Sequence, residues 1–420
     1  MKHERFHYKN LDDVKAAMKY TGADFPLSEE ISVLKAPYDF SSRHAENRIV
    51  FQPMEGCDSE PCGSPGELTF RRYERLIEGG PGILWFEAVS ISREARARKN
   101  QLYMNRGNLD VFKRLVENIK TVCMRKNGFE PIIIMQSTHS GRYSKPDGIP
   151  VPEDWVLSDD ELAALPVLFG ESAKLAAQAG FDGVDVKACH RYLINELFSA
   201  YNRNGLYGGS FENRTRLLIQ AIDAAGAESP AGFILTTRLN VYDGFPYPEG
   251  FGVSPGSGSR PDLSEPLKLI GILKNKYGIE LINITAGSPA VCSHISRPFD
   301  KGLYVPDEHP FEGVSRITGF AKTVQNEFPD IAVVCSGLSY LREFSANLAA
   351  GMVKSGGASF AGFGRLTLAY PGFPRDILTG KNLDNGKICL TCGQCSRLLR
   401  AGKNTGCVVR DKEVYRPTDS

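Results

Sequence analysis

ELAALPVLFGESAKLAAQAGFDGVDVKACHRYL, residues 161–193, is the stretch that decides the fold. Residues 161–180 read as a helix: Ser158 precedes Glu161 by three positions, the pattern of a capping box, and Gly180 closes the segment. FDGVDVKA follows as a short, apolar, alternating run of the kind that forms a buried strand. At its end the chain turns polar, and Lys187, His190 and Tyr192 gather within six residues. A helix feeding a buried strand that ends in reactive side chains is one unit of an α/β protein.

The same kind of strand recurs along the chain. The runs are NRIVFQPM (47–54), GILWFEAV (82–89), PIIIMQS (131–137), FDGVDVKA (181–188), GFILTTRLN (232–240), LINITAG (281–287), DIAVVCSG (330–337) and ASFAGFGR (358–365). Most are separated by helix-like stretches such as NLDVFKRLVENIKTVCMRKNG. Eight strands alternating with helices predict a (β/α)8 TIM barrel. The rival, a doubly wound open sheet, would place a glycine-rich fingerprint after an early strand, and the sequence has none. The expected organisation is an N-terminal arm (1–46), the barrel (47–375) and a cysteine-rich tail (376–420) outside it. The Gly/Pro/Ser-rich segment 242–260 reads as a lid over the barrel mouth.

Composition narrows the function. With 420 residues, 42% hydrophobic and 24% charged, the chain is an ordinary globular protein with room for a large core. A net charge of +1 without a long basic run gives nucleic acid no electrostatic footprint. No secretory leader and no membrane-length apolar run are visible, so the expected location is the cytoplasm. Four of the ten cysteines cluster at 389, 392, 395 and 407, which suits a ligand set in a reducing compartment better than a disulfide framework.

In a barrel of this type the chemistry gathers where the strands end. Those ends carry Met54–Glu55, Glu87–Ala88, Gln136 with His139, Lys187 with His190, Arg238, Thr285 to Gly287, Ser336–Gly337 and Gly364–Arg365. Loops after the seventh and eighth strands are the usual phosphate site of the fold, so a phosphate-bearing cofactor is expected. Taken singly, Lys187 would be a surface lysine, His190 a satisfied structural histidine and Tyr192 a core residue. Gln136 and Arg238 would be strand-end hydrogen-bond partners. Cys189 and Cys335 read as small buried residues, His139 as a buttress of the third strand end, and His294 as a loop residue for which facing substrate is the lesser of two readings.

Several separated motifs change the weight of these readings. NRIVFQPM, GGPGILWFEAVSIS, QSTHSGRYS, TTRLN, GFGRL and above all YLINELFSAYNRNGLYGGSFENR resemble the Old Yellow Enzyme family of FMN-dependent ene-reductases over about residues 47–375. The branch that includes 2,4-dienoyl-CoA reductase is similar in carrying a cysteine cluster after the barrel. The resemblance implies that Pro53, Met54 and Glu55 line the flavin and that the backbone of Ala88 meets its edge. It implies that Gln136 bonds the pyrimidine ring and that Arg238 lies beside N1 and O2. Gly337, Gly364 and Arg365 would grip the phosphate. Lys187 and His190 would hold a substrate carbonyl oxygen, and Tyr192 would donate a proton. Three departures stand out: Glu55 where the family commonly has Thr or Cys, Lys187 where it has His, and Arg191 where it has Gly.

The tail CLTCGQCSRLLRAGKNTGC spaces its thiols as C-x2-C-x2-C-x11-C, which suits either a 4Fe–4S cluster or Zn²⁺. The related reductases hold a 4Fe–4S cluster on C-x2-C-x3-C-x11-C, so the resemblance favours the cluster on Cys389, Cys392, Cys395 and Cys407. Electrons are expected either from NADH meeting the FMN directly or from a separate donor protein docking near the tail. The function expected is reduction of the C=C of an α,β-unsaturated carbonyl compound, an enoate, enone or steroid-like ring. The alternatives are an oxidative dehydrogenase or demethylase of the same superfamily and a flavin electron-transfer subunit. Substrate identity and oligomeric state, including a homo-oligomer, stay open.

Overall fold

The computed structural model describes residues 2–40, 42–145, 151 and 156–416; the last four residues of the tail lie outside them. Eight parallel strands close into a barrel: β1 (Ile49–Phe51), β2 (Ile83–Ser90), β3 (Ile132–Thr138), β4 (Gly183–Val186), β5 (Ile234–Asn240), β6 (Leu281–Thr285), β7 (Ala332–Cys335) and β8 (Phe360–Phe363). Each pairs with its neighbours in sequence, and β8 returns to β1 through Gly362 opposite Val50. All eight expected strands are present. The helices between them are α1 (Glu67–Ile77), α2 (Leu109–Asn127), α3 (Asp159–Gln178), α4 (Phe211–Ala227), α5 (Ser264–Tyr277), α6 (Pro310–Glu327) and α7 (Ser345–Lys354). The capping box on α3 forms as read: Ser158 Oγ accepts from Glu161 N (3.2 Å) and Ser158 N donates to Glu161 Oε2 (2.7 Å).

The alternation of each strand separates two layers. Residues of one parity, such as Ile49, Phe51, Leu84, Ile133, Val184, Ile282 and Val333, pack outward under the helices. Those of the other, including Val50, Trp85, Ile134, Leu281, Val334 and Phe360, fill the barrel interior. A hairpin of Tyr38–Phe40 and Arg43–Ala45 adds Phe40 and Ala45 to this inner cluster, with the Phe40 ring centroid 5.7 Å from that of Phe360. Farther along the same inward rows the residues become polar. Val50 gives way to Gln52, Ile134 to Gln136, Leu281 to Asn283 and Val334 to Ser336. The strands therefore carry an apolar plug at one end of the barrel and a polar floor at the other.

Two segments sit differently from the sequence reading. The tail is not apart from the barrel mouth. Its short helix α8 (Gln394–Arg400) is tied there by Arg98 Nε donating to Leu399 O (2.8 Å), Arg400 Nη2 to Pro289 O (2.7 Å) and Thr405 N to Gly56 O (2.7 Å). Segment 242–260 folds back on itself through Tyr242 OH to Ser259 O (2.6 Å) and buries Phe251 against Phe198, with ring centroids 4.9 Å apart.

Candidate active site

The polar ends of the strands open into one cavity of about 220 Å³. Of the expected site residues, Pro53, Met54, Glu55, Gln136, Lys187, His190, Tyr192, Arg238, Gly337, Gly364 and Arg365 all line it. Ala88 does not: it is buried behind the wall, and its carbonyl accepts from Gln101 Nε2 (3.2 Å). No residue of segment 242–260 lines the cavity, so this segment is not its lid. That wall comes from the tail through Cys395, Ser396, Leu399, Arg400 and Thr405. His294 turns away, with Nδ1 2.7 Å from Tyr304 OH. His139 is a strut, its Nδ1 accepting from Gly141 N (3.0 Å), and burial drives its imidazole down to about 4.

Asp185 organises the floor. Its carboxylate accepts from Gln136 Nε2 (2.6 Å), Trp85 Nε1 (2.7 Å) and the backbone N of Arg238 (2.7 Å). The bond to Gln136 commits its amide nitrogen and leaves the carbonyl oxygen as the acceptor. Asp185 is fully buried, and that burial raises its carboxyl above the usual range against the pull of these donors.

Arg238 is the anomaly of the floor. It is 8% exposed, yet its guanidinium makes no hydrogen bond or ion pair to any described residue, and Nε is buried without a partner. Burial lowers its pKa. An unpaired buried guanidinium is costly unless a ligand completes it. Across the cavity, Gly337 has φ +81°, a left-handed conformation that glycine takes without a Cβ penalty. Gly364 caps the short helix Arg365–Ala369. These groups fit a flavin mononucleotide: an acceptor and a cation for the polar edge of the ring, and glycine backbone with Arg365 for the phosphate.

A four-residue network also lines the cavity. Glu55 Oε1 accepts from Tyr192 OH (3.3 Å) and Lys187 Nζ (3.4 Å), while Oε2 accepts from Arg98 Nη1 (3.3 Å). The Lys187 ammonium stands 3.7 Å from the Tyr192 ring centroid. Burial raises the Tyr192 phenol, Glu55 raises it further, and Arg98 opposes both. His190 has φ +64° and Arg191 φ +58°, a sharp turn that carries the chain from strand to helix. The imidazole Nε2 lies 3.4 Å from Thr285 Oγ1, and burial with Arg238, Lys187 and Arg297 nearby holds its pKa well below the ordinary value. His190 is therefore a neutral ring at physiological pH. Arg98 and Arg297 join the cavity from loops and were not singled out in the sequence.

Glu87 leaves the ring of strand ends. The β2–β3 register shifts between Phe86 and Ala88, and the Glu87 carboxylate turns to Arg72 Nη2 (2.6 Å), Gly56 N (2.8 Å) and Tyr73 OH (3.2 Å). Burial raises it from 4.5 to about 7, with Arg72 opposing and Asp58 adding. A carboxyl whose folded value exceeds its unfolded one binds more protons when folded, so its stabilising contribution is full below 4.5 and is lost as pH rises through about 7. Thermal midpoints of the protein and of Glu87→Gln, measured across that window, should show the variant losing part of this decline.

The cysteines meet beside this site. Cys389, Cys392, Cys395 and Cys407 all line one small cavity, and Cys395 and Arg365 line the main one as well. Burial pushes the Cys389 thiol up to about 12, with Arg365 opposing. Among the described residues, no group of three or more His, Cys, Asp or Glu side chains is placed to hold a metal ion. Also among them, no helix is long and apolar enough to cross a membrane.

Known proteins are similar to this chain in sequence and in fold. The chain is 28% identical to the NADPH dehydrogenase of Clostridium acetobutylicum over 268 residues, which are 60% of this chain and 73% of that one. It is 26% identical to the putative 12-oxophytodienoate reductase 2 of Oryza sativa subsp. japonica over 375 residues, 83% of this chain and 88% of that one. A solved structure of 2-naphthoyl-CoA reductase with 2-naphthoyl-CoA has the same fold, with a TM-score of 0.74 at 19% identity. That match covers 90% of this chain, which spans only 57% of the reductase. Residues 34–250, just over half of the chain, match the profile of one family, described as NADH:flavin oxidoreductase / NADH oxidase. The chain belongs to that family.

Proposed function

We propose that the protein is an FMN-dependent ene-reductase that reduces the C=C of an α,β-unsaturated carbonyl compound. The observation that carries this reading is the unpartnered guanidinium of Arg238 lining the same cavity as Lys187, His190 and Tyr192. Bound there, the flavin would supply the hydride. Gln136 and Arg238 hold the polar edge of the ring, and Arg238 answers the negative charge that the reduced ring carries. His190 and Lys187 supply N–H donors for the substrate carbonyl oxygen, where charge grows in the transition state. Tyr192 OH gives the α carbon its proton. Glu55 holds Tyr192 and Lys187 in one arrangement, and Lys187 and Arg98 stand ready to stabilise the phenolate left after transfer.

The direction of the reaction separates this reading from the oxidative dehydrogenase or demethylase. Under anaerobic conditions, reduced protein should regain its visible flavin band on mixing with 2-cyclohexenone. Oxidised protein should keep the band on mixing with a tertiary amine. The opposite pair of results would favour the dehydrogenase and sink the reductase. A band that responds to neither would favour an electron-transfer subunit.

We further propose a 4Fe–4S cluster on Cys389, Cys392, Cys395 and Cys407. Four thiols spaced C-x2-C-x2-C-x11-C line one small cavity, and the resemblance to reductases that hold such a cluster favours four irons over Zn²⁺. Because Cys395 and Arg365 border both cavities, a cluster would adjoin the flavin phosphate site and offer an entry for electrons from a donor protein, beside direct reduction by NADH. Anaerobically purified protein should contain about four irons per chain, and Cys392→Ser should lose them while keeping FMN. Zinc in stoichiometric amount without iron would overturn the cluster.

A further inference from the structure

Eleven residues, 396–406, separate Cys395 from Cys407, whereas the two spacers before them have two each. Both ends of this long spacer are fixed by contacts with the barrel. Arg400 Nη2 donates to Pro289 O (2.7 Å), and beyond Cys407 the Asp411 carboxylate accepts from Arg71 Nη1 and Nη2 on α1 (2.9 Å each). Between these anchors, three backbone groups of the spacer reach the surroundings of Glu55. Leu399 O accepts from Arg98 Nε (2.8 Å), Gly402 O accepts from Asn100 Nδ2 (3.3 Å), and Thr405 N donates to Gly56 O (2.7 Å). Asn100 links the two sides: the same Nδ2 donates to Cys57 O (2.6 Å), and its backbone carbonyl accepts from Ser59 N (3.2 Å). The spacer thus holds Glu55 twice, its carboxylate through Arg98 and its backbone through Gly56 and Cys57.

The site leaves Glu55 little slack. Its bonds from Tyr192, Lys187 and Arg98 measure 3.3, 3.4 and 3.3 Å, close to the outer limit for a hydrogen bond, so a small displacement breaks them. The backbone beside it is tightly held. Gly56 N donates to Glu87 Oε2 (2.8 Å), and a Cβ on Gly56 would collide with the Arg72 guanidinium. Cys57 has φ +48°, a conformation that a non-glycine residue keeps only where its surroundings impose it. Resting on the reductase reading, we propose that the 396–406 spacer is a positioning element for proton transfer, with Asn100 as the residue that ties it to the backbone of Glu55. Together they set where the Glu55 carboxylate stands, and so how Tyr192 OH is aimed. Asn100 and Gly402 are not part of the cavity lining, so they act through Glu55 and Arg98.

The test uses the reduced holoprotein under anaerobic conditions. Asn100→Ala should slow reoxidation by 2-cyclohexenone about 10- to 100-fold, the usual cost of a misplaced reacting group. The solvent deuterium isotope effect on that step should grow as proton transfer becomes limiting. Reoxidation by ferricyanide, which takes electrons and places no proton on carbon, should be unchanged. In a Glu55→Gln background, adding Asn100→Ala should cost less than about twofold, because the residue through which Asn100 acts is already altered. Thr405→Pro, which lacks the N–H that Gly56 O accepts, should reproduce the enone-specific loss and serves in place of Asn100→Ala if that variant does not fold. Equal slowing with ferricyanide, unchanged enone rates in both variants, or an Asn100→Ala effect kept in full beside Glu55→Gln would overturn the proposal. Failure of the unaltered protein to react with 2-cyclohexenone would count against the reductase reading instead. Hydrogen exchange in a peptide spanning 52–59 would then decide the spacer's role, since the amides of Gly56 and Ser59 are bonded to Glu87 and Asn100. Exchange there should quicken in both variants, and exchange at the unaltered rate would overturn the proposal.

Discussion

Tyr192→Phe should slow reoxidation of the reduced protein by an enone by about 10²- to 10⁴-fold, the usual contribution of a positioned general acid. Flavin reduction by NADH should be unaffected. The phenol is suited to the task because its surroundings keep it protonated. Burial raises it first, and the Glu55 carboxylate at 3.3 Å adds to this. Arg98 and Lys187 offset part of that cost once the proton leaves: Arg98 interacts with the hydroxyl, and Lys187 stands 3.7 Å from the ring centroid. The ring itself packs 5.9 Å from that of Tyr143, so Phe should keep the packing and lose only the proton. Stopped-flow absorbance of the two half-reactions separates these effects. An unchanged reoxidation rate with every accepted enone would remove Tyr192 from the chemistry.

Arg238→Met should divide the fates of apoprotein and holoprotein. In the apoprotein the guanidinium has no hydrogen-bond or ion-pair partner among the described residues, so an apolar chain of similar length should leave the apoprotein at least as stable. In the holoprotein the same change removes a charged donor to the flavin, which should raise the FMN dissociation constant about 10- to 100-fold. Thermal midpoints with and without FMN, together with quenching of flavin fluorescence on binding, read both. A variant that destabilised the apoprotein and bound FMN with unchanged affinity would show that Arg238 has a structural partner instead.

The barrel was legible in the sequence because its information is local. Each strand announces itself as a short β-branched run, and the inward row of each changes from apolar to polar within a few residues, as Val50–Gln52 and Ile134–Gln136 do. Most of the site was legible for the same reason: Gln136, Lys187 and Arg238 stand at strand ends, and the barrel brings strand ends together. What was not legible depends on irregular backbone or on contacts across long stretches of chain. Glu87 has the parity of an inward residue, but the register shift beside it turns the carboxylate to Arg72. Ala88 shares that irregular segment and lies behind the wall. Arg98 belongs to an arginine-rich loop, SREARARKN, whose composition is a signal. Its place beside Glu55 is nevertheless set by Leu399, three hundred residues away. The tail was expected outside the barrel because its spacing speaks only of ligands. Nothing in that spacing says that Arg400 and Thr405 return to close the mouth.

Glu55 shows how a single departure can reorganise a site. A Thr or Cys there could not reach three donors at once, whereas the carboxylate binds Tyr192, Lys187 and Arg98 together. It thereby ties Tyr192, the proposed proton donor, and Lys187, one proposed arm of the carbonyl clamp, into one hydrogen-bonded unit.

A flavin bound in this cavity is proposed to deliver a hydride to C=C and to leave C=O intact. The most direct measurement is a single-turnover product analysis: anaerobically reduced protein mixed with one equivalent of 2-cyclohexenone per flavin, followed by gas chromatography. Cyclohexanone is expected in amount equal to the flavin reoxidised. Recovery of 2-cyclohexen-1-ol, or of unreacted enone beside a flavin that stays reduced, would contradict it.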